Sequence, residues 1–598
     1  MLKVIPYKKA TKNLTTRGKV GQLFMPAAFI NDTESEIQKL EKLIREHKIG
    51  SLCFFHSRAS AATNFEGAKA IVHNENSFET LKSLVQRYQR AAEYPLLIAI
   101  DAEWGLAMRI ENTPQYPYAI TLGALSDDAS ELIYEVGKHI AKDCREAGIH
   151  WNLAPCVDIN DNPHNPVIGY RSFGANKHKV IAKALAYIKG TQSEGVLTSI
   201  KHFPGHGDTA TDSHLALPLI DKSREDLFEN ELYPFYKLIA ECVDSVMVGH
   251  LSVPALANGA SISSSISKEI IKGILRDEMG YRGVVISDAL NMHAVSKNYP
   301  VKGELEWLAF DAGNDVLCFA EHIAEGIEAI LKKASEEQIE ESFERVWKLK
   351  EKVQASSSLE QGIPETESVD EESFEKKSLD AGFLDSEFLG KKSSEEEALN
   401  LESFEVGTLQ RDKASGTPNR RSDLTAGLQN PDALNKKIAL ESLTLLKGSV
   451  ALISDFRKTN FVAIQINETT DNQFFKHIHK NIKFRPILSN DPLKGDVKNI
   501  LLALFPPQVK PTNTFGFSKE ELIFIDELIQ TKNVVLYLFG NPYVLNHIDT
   551  KNAKAVVVVH QDFDVFQETA AAHFLGNLVA KGRLAVTIES NTKNHENP

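Results

Sequence analysis

From residue 22 to about 320 the chain alternates short, nearly continuous apolar runs with longer stretches whose apolar residues recur three and four positions apart. The runs read as strands buried on both faces, the stretches as amphipathic helices. Eight strands are predicted: 22–28 (QLFMPAA), 51–55 (SLCFF), 95–101 (PLLIAID), 149–155 (IHWNLAP), 198–203 (TSIKHF), 245–250 (SVMVGH), 283–288 (GVVISD) and 315–319 (DVLCF). Helical periodicity is plainest over 35–47, 77–93 and 129–148, and it returns over about 321–354. Apolar strands that each precede a helix imply a parallel sheet covered on its outer face. Eight such units suit a closed (β/α)8 TIM-type barrel better than an open doubly wound sheet. Polar residues fall at one end of this pattern: Asp101 closes the third strand, Lys201 and His202 the fifth, His250 the sixth and Asp288 the seventh. In such barrels the C-terminal strand ends form the functional rim.

After residue 354 the composition changes abruptly. Between 355 and 430 Ser, Glu, Lys and Gly dominate and no apolar face persists, which predicts a disordered linker or insertion. The string ESFE recurs at 341–344, 372–375 and 402–405, too short and too acidic to define a repeat fold. From 431 to 598 a second pattern begins, with KKIALESLTLLKG, VKNILLALF, KNVVLYLFGNP and KAVVVVHQ alternating with helical segments such as 519–530. It predicts a smaller α/β sandwich domain with a largely parallel sheet and no dense polar cluster. The expected organisation is therefore a barrel at 1–354, a linker at 355–430 and a second domain at 431–598.

Length and charge narrow the function classes. A chain of 598 residues with 42% hydrophobic content can build two or three substantial cores. A net charge of −14 argues against a general nucleic-acid binder, while Lys201, Arg171 and Arg109 would suffice for a local basic cleft. No apolar run has the length of a membrane span, and no apolar signal core follows the basic start, so the cytoplasm is the expected compartment. Five scattered cysteines without CxxC spacing indicate neither a disulfide framework nor a thiolate metal site. No cofactor and no protein partner is implied.

The densest chemistry lies in KHFPGHGDTATDSH at 201–214, which gathers Lys201, His202, His206, Asp208, Asp212 and His214 around a glycine-rich, proline-bent loop. Three readings compete: an ordinary solvated loop, a metal site built from His202, His206, His214 and the aspartates, and acid–base chemistry in which Asp212 orients His214. Its position after a predicted strand end weighs against the first. Asp288 has two readings as well: a group held at the barrel rim, or an N-cap for a helix beginning at ALNMHAVS.

These segments resemble glycoside hydrolase family 3, and within it the bacterial β-N-acetylglucosaminidase branch. The resemblance is carried by KHFPGHG at 201–207 with DSH at 212–214, IDAEWG at 100–105, RSFG at 171–174, VMVGHLSVPAL at 246–256 and VVISDALNM at 284–292, and more loosely by ALESLTLLKG at 439–448. It departs from the family's DQEGG, which here reads Asp101-Ala102-Glu103-Trp104-Gly105. The resemblance implies a retaining mechanism with Asp288 as nucleophile and His214, paired with Asp212, as general acid/base. It implies that Asp101, Arg109, Arg171, Lys201 and His202 hold the non-reducing amino sugar, and that no metal takes part. An imidazole that has given up its proton is neutral where a carboxyl group would be anionic, so an anionic peptidoglycan fragment or inorganic phosphate meets little repulsion. Hydrolysis and phosphorolysis are both open on that argument. Against an exo-acting hydrolase stand a silent glycan-binding barrel and a metal-dependent hydrolase.

Overall fold

The computed structural model describes residues 3–56, 73–209, 217–241, 243–360, 430–467, 472–488 and 497–589. The first part is a closed parallel barrel. Its strands are β1 (Phe24–Met25), β2 (Ala27–Phe29), β3 (Ser51–Phe55), β4 (Leu97–Ile100), β5 (Trp151–Asn152), β6 (Leu197–Phe203), β7 (Ser245–Val248), β8 (Val284–Ser287) and β9 (Leu317–Cys318). Strands β2 to β8 are hydrogen-bonded in sequence order, and β1 pairs with β9. The ring shuts where Ile286 bridges Val316 and the Ser287 N–H donates to the Val316 carbonyl at 3.0 Å. All eight expected strands are present. The first is split into β1 and β2 at Pro26, which has no N–H to give but still accepts from Cys53.

Helices cover the barrel where the periodicity placed them, at Glu34–His47, Ser77–Ala91 and Ser130–Ala147. Thr33 and Glu36 form a reciprocal capping box at the first of these. Helices Ser130–Ala147 and Lys177–Ser193 approach so closely that a Cβ on Gly137 would lie 2.3 Å from the Tyr187 carbonyl, and one on Gly190 2.0 Å from that of Tyr134. The helical stretch expected at 321–354 is two helices, Ile323–Lys333 and Glu336–Glu360. Between them Ala334 is extended and the Ser335 hydroxyl accepts from the Gln338 N–H, so the second helix starts afresh.

Helix Glu336–Glu360 runs along the N-terminal face of the barrel and pins the strands from below. Its Trp347 donates to the Ile5 carbonyl, Lys350 reaches Gln22 and the Pro95 carbonyl, and Lys352 pairs with Asp244. Asp315, fully buried ahead of β9, receives Arg276 at 2.6 Å, Arg345 at 2.9 Å, the Ser342 hydroxyl and the Val285 N–H. Polar groups on this face serve stability.

Residues 361–429, most of the stretch expected to be a linker, lie outside the described residues. The second unit opens with helix Pro431–Ser442 and contains β10 (Thr444–Lys447), β11 (Val462–Ile466), β12 (Arg485–Leu488), β13 (Asn499–Leu504), β14 (Asn533–Leu538) and β15 (Ala555–Val558). Their order is β10-β15-β14-β13-β11-β12, parallel throughout except at β10. Side chains alternate between two cores: Ala463, Leu501, Val535 and Val557 face a helical layer containing Phe474, Phe566 and Phe574, while Ile464, Leu502, Leu536 and Val556 face Ile525 and Leu528. Strands β11 and β12 escaped the sequence pattern, since FVAIQI and RPIL are short and mixed. The second core also takes in Ile120 of the barrel, with Tyr118 and Tyr170 packed against it. Backbone bonds sew the units together: Ala175 to Ala585 and Arg583 to Ala124, both at 2.9 Å.

Replacing Asp315 by Ala leaves Arg276 buried without its counter-charge. We expect a loss of about 3–5 kcal/mol in stability, measured by urea unfolding.

Candidate active site

The chain that leaves β4 turns Asp101 into the barrel mouth, where β6, with one strand between them, delivers Lys201. The Lys201 ammonium lies 2.9 Å from Asp101 Oδ1 and 2.8 Å from Glu103 Oε1, and also reaches the Leu153 carbonyl. Asp101 Oδ2 accepts from Arg109 at 2.9 Å. Arg171 grips Glu103 through Nε at 3.0 Å and a terminal nitrogen at 2.7 Å, the two-pronged geometry that suits a guanidinium. Burial alone would raise the Asp101 carboxyl, but Lys201 and Arg109 outweigh it and hold the group well below the usual carboxylate range. Glu103 is likewise brought down to about 2, burial being overcome by Arg171 and Lys201. Burial would lower the Lys201 ammonium, and its two carboxylates reverse that. Each charge is present because its partners are.

A second cluster adjoins the first. Asp158, fully enclosed after β5, accepts from the backbone N–H groups of His202 at 3.1 Å and His206 at 2.7 Å, and from His202 Nδ1 at 2.8 Å. Because the carboxylate only accepts, the proton sits on Nδ1, and His202 Nε2 is left to accept from Arg171 at 3.3 Å. His206 is lowered to about 4, first by burial and then by His202 beside it. Asn165 binds this loop to its neighbour: its amide donates to the carbonyls of His206 and Gly207, and its oxygen accepts from the N–H groups of Val167 and Ile168. Gly207 admits no side chain, since a Cβ there would lie 1.5 Å from the Ile159 carbonyl.

Asp288 leaves β8 at the same mouth. Its backbone N–H donates to Val248, and its Oδ1 accepts from the Ala289 N–H at 2.8 Å. His250 donates to the Ala289 carbonyl at 2.9 Å and accepts from the Ser265 hydroxyl at 2.8 Å, which steadies the turn after Asp288. The N-cap reading of Asp288 is corrected here: the helix that follows is His293–Ser296, with Met292 at the cap position, because Asp288 spends its carboxylate on the next residue. The Cys318 thiol of β9 is pushed well up, first by its contact with Cys53 and then by burial. Phe29, Phe55 and Phe319 form an apolar floor with ring centroids 5.2–6.0 Å apart, and the Arg109 guanidinium lies 5.4 Å over Phe55.

Asp101, Arg109, Arg171, Lys201 and His202 are thus brought into one connected network through Glu103, and Asp288 leaves β8 at the same end of the barrel. Asp212 and His214 lie outside the described residues. Sequence reasoning missed three residues. Glu103 was legible, being two positions beyond Asp101; Asp158 and Asn165 carried no signal beyond polarity in an apolar stretch. The metal reading of His202, His206, His214 and the aspartates rests in part on Asp212 and His214, outside the described residues; His202 Nδ1 is bound to Asp158 and His206 Nδ1 to the Thr209 hydroxyl at 2.7 Å. Among the described residues, two groups have ligand-like spacing: Cys156, Asp158 and His202, and Asp161, Asp208 and Glu231, the second with the Lys222 ammonium among its carboxylates.

Residues 15–349, more than half the chain, match the glycosyl hydrolase family 3 N terminal domain. The chain belongs to glycosyl hydrolase family 3. It is 34% identical over 350 residues to "Beta-hexosaminidase A" of Pseudoalteromonas piscicida, an alignment covering 54% of this chain and 56% of that protein. It is 35% identical over 254 residues to a "Beta-hexosaminidase" of Xylella fastidiosa (strain M12), covering 41% of this chain and 74% of the relative. The chain therefore spans little more than half the length of the first of these. The structure of a glycoside hydrolase family 3 β-N-acetylglucosaminidase from Paenibacillus sp. str. FPU-7 superposes with a TM-score of 0.68 at 25% identity, over 97% of this chain and all of that one. In this family 3 chain, the departure at Trp104 has a packing consequence: its indole meets Tyr118 and Tyr170 edge-on or tilted, at 5.0 and 5.6 Å.

Two outcomes follow from the charges. Glu103→Gln strands Arg171 and part of Lys201, and we expect unfolding by urea to report a loss of about 3–5 kcal/mol. His206 is neutral in the folded state down to about pH 4 but takes a proton near 6.5 when unfolded, so its contribution is complete above 6.5 and is lost as pH falls towards 4. Stability measured across that window should fall less steeply in His206→Asn than in the natural chain.

Proposed function

We propose that the chain is a retaining exo-β-N-acetylglucosaminidase that removes N-acetylglucosamine from peptidoglycan-derived fragments through a covalent glycosyl-aspartate. One observation carries the reading. Asp288 follows β8 at the end of a family 3 barrel where Asp101 follows β4 and where a preassembled network joins Asp101, Arg109, Lys201, Arg171 and His202. The names of the relatives, β-hexosaminidase and β-N-acetylglucosaminidase, support an amino-sugar glycoside as substrate.

In this reading Asp288 attacks the anomeric carbon while His214, kept protonated by Asp212, gives its proton to the leaving oxygen. Water then attacks the anomeric carbon while His214 takes a proton from it, the bond to the Asp288 carboxylate breaks, and the sugar departs with its anomeric configuration retained. Asp101 suits hydroxyl recognition because Lys201 and Arg109 guarantee its charge, and an ionised carboxylate accepts from two hydroxyls at once. Lys201, Arg171 and His202 supply donors or a ring edge around the same sugar. Neutral imidazole left after proton donation tolerates the negative charge of a muropeptide. A cytoplasmic location belongs to the same proposal; the four described cysteines are all free and buried, as suits a reducing compartment, and no described helix is long and apolar enough to cross a membrane.

Mass measurement after exposure to a slow 5-fluoro N-acetylglucosaminyl donor should find one sugar adduct, on the peptide carrying Asp288; an adduct elsewhere, or none with turnover intact, overturns the assignment. His214→Ala should slow unactivated glycosides by roughly 10²–10⁴-fold and aryl glycosides with acidic leaving groups far less. Sugar 1-phosphate formed when phosphate is added would identify phosphorolysis instead of hydrolysis.

A further inference from the structure

The loop 158–175, which follows β5, carries Asp158 and Arg171 and so supplies two members of the network at the barrel mouth. Its only regular element is the single 3-10 turn Gly169–Arg171. Part of its shape is held from within, where Asn165 Oδ1 accepts from the Val167 and Ile168 N–H groups and the Ser172 hydroxyl donates to the Asp158 carbonyl at 2.6 Å. Its position relative to the rest of the protein is set from outside. On the barrel side, the Asn165 amide ties it to residues 206–207. On the other side stands the second domain, whose segment Pro542–His547 places Tyr543, only 3% exposed, against Asn160. The Tyr543 hydroxyl donates to the Asn160 carbonyl at 3.1 Å. The Asn160 amide then donates to the Gly169 carbonyl at 3.0 Å, and the Asn160 N–H donates to Gly174 at 2.9 Å. Tyr170, next in sequence to Arg171, packs against the second domain's core, and Ala175 is bonded to Ala585.

We propose that Tyr543 is a positioning residue for the amino-sugar site, acting from the second domain through Asn160 and Gly169 on the Arg171 guanidinium. This rests on the reading of Arg171 as a sugar-binding group. The physical demand is strict. Arg171 must keep two bonds to Glu103 and a third contact to His202, and a planar fork loses its pairing when its base shifts by a fraction of an ångström. Asn160, fully enclosed, transmits position because its carbonyl is held by the second domain while its amide and N–H reach along the loop to Gly169 and Gly174, on either side of Arg171. Burial, and then the charge of Asp161, push the Tyr543 phenol upward, so the hydroxyl keeps its proton and remains a donor at every pH the enzyme meets. The second domain thereby becomes part of the substrate site without touching the substrate, a role that the bare contact between the domains does not imply.

The test is Tyr543→Phe in the full chain, which removes one hydroxyl and keeps the ring. We expect KM for an aryl N-acetylglucosaminide to rise roughly two- to tenfold with kcat within about twofold, and amide hydrogen exchange to quicken across 158–175 but not in the barrel strands. In an Arg171→Lys background, Tyr543→Phe should add little to the lost affinity for N-acetylglucosamine measured by calorimetry. Unchanged exchange over 158–175, a fall in kcat with KM constant, or full additivity with Arg171→Lys overturns the proposal. If the natural chain leaves the aryl N-acetylglucosaminide intact, the reading of the reaction fails, while the exchange measurement still decides whether Tyr543 holds the loop.

Discussion

A lysine ammonium with 2% of its side chain exposed cannot stay charged in a protein interior unless anions meet it there. Lys201 meets two, Asp101 and Glu103, and these carboxylates in turn are satisfied by Arg109 and Arg171. This chain of pairings sets the barrel mouth. It fixes the distance between β4 and β6 at their C-terminal ends, orients the guanidinium that touches His202, and keeps Asp101 ionised. Charges that depend on one another hold the mouth in a preassembled arrangement.

The two ends of the barrel use buried charge for different purposes. At the N-terminal face, Asp315 with its two arginines and Lys350 with two neutral acceptors brace strand starts against helix Glu336–Glu360. Those groups are saturated by the protein itself. At the C-terminal face the groups are partly exposed: Asp101 and Arg109 retain 17% and 23% of their side-chain surface, so a ligand can still address them. The same ion-pair chemistry braces the strand starts at one end and orders the barrel mouth at the other. The second domain adds support at the mouth, packing its core against Ile120, Tyr118 and Tyr170.

What could be read from the amino-acid order was everything that depends on local periodicity. Continuous apolar runs such as GVVISD and LTSIKHF announce strands buried on both faces, and the three- and four-residue spacing of 129–148 announces a helix, because each segment carries its own pattern of burial. Eight such units imply the barrel, and polar residues at strand ends imply its functional face. Family likeness extended that reading to Asp288, Arg171 and Lys201. Locally weak signals were lost: β11 and β12 are too short and mixed to stand out, and the break at Ala334 hides inside a continuous helical spacing.

Only the tertiary structure decided who pairs with whom. That Lys201 answers to Asp101 and Glu103 a hundred positions away, that Asp158 clasps His202, and that Tyr543 reaches Asn160 across the domain boundary are facts of long-range geometry. Periodicity reports how a segment meets water, which is a property of the segment alone; a charge or hydroxyl becomes part of a site through the one partner brought within 3 Å, and that partner is chosen by the packing of the whole chain.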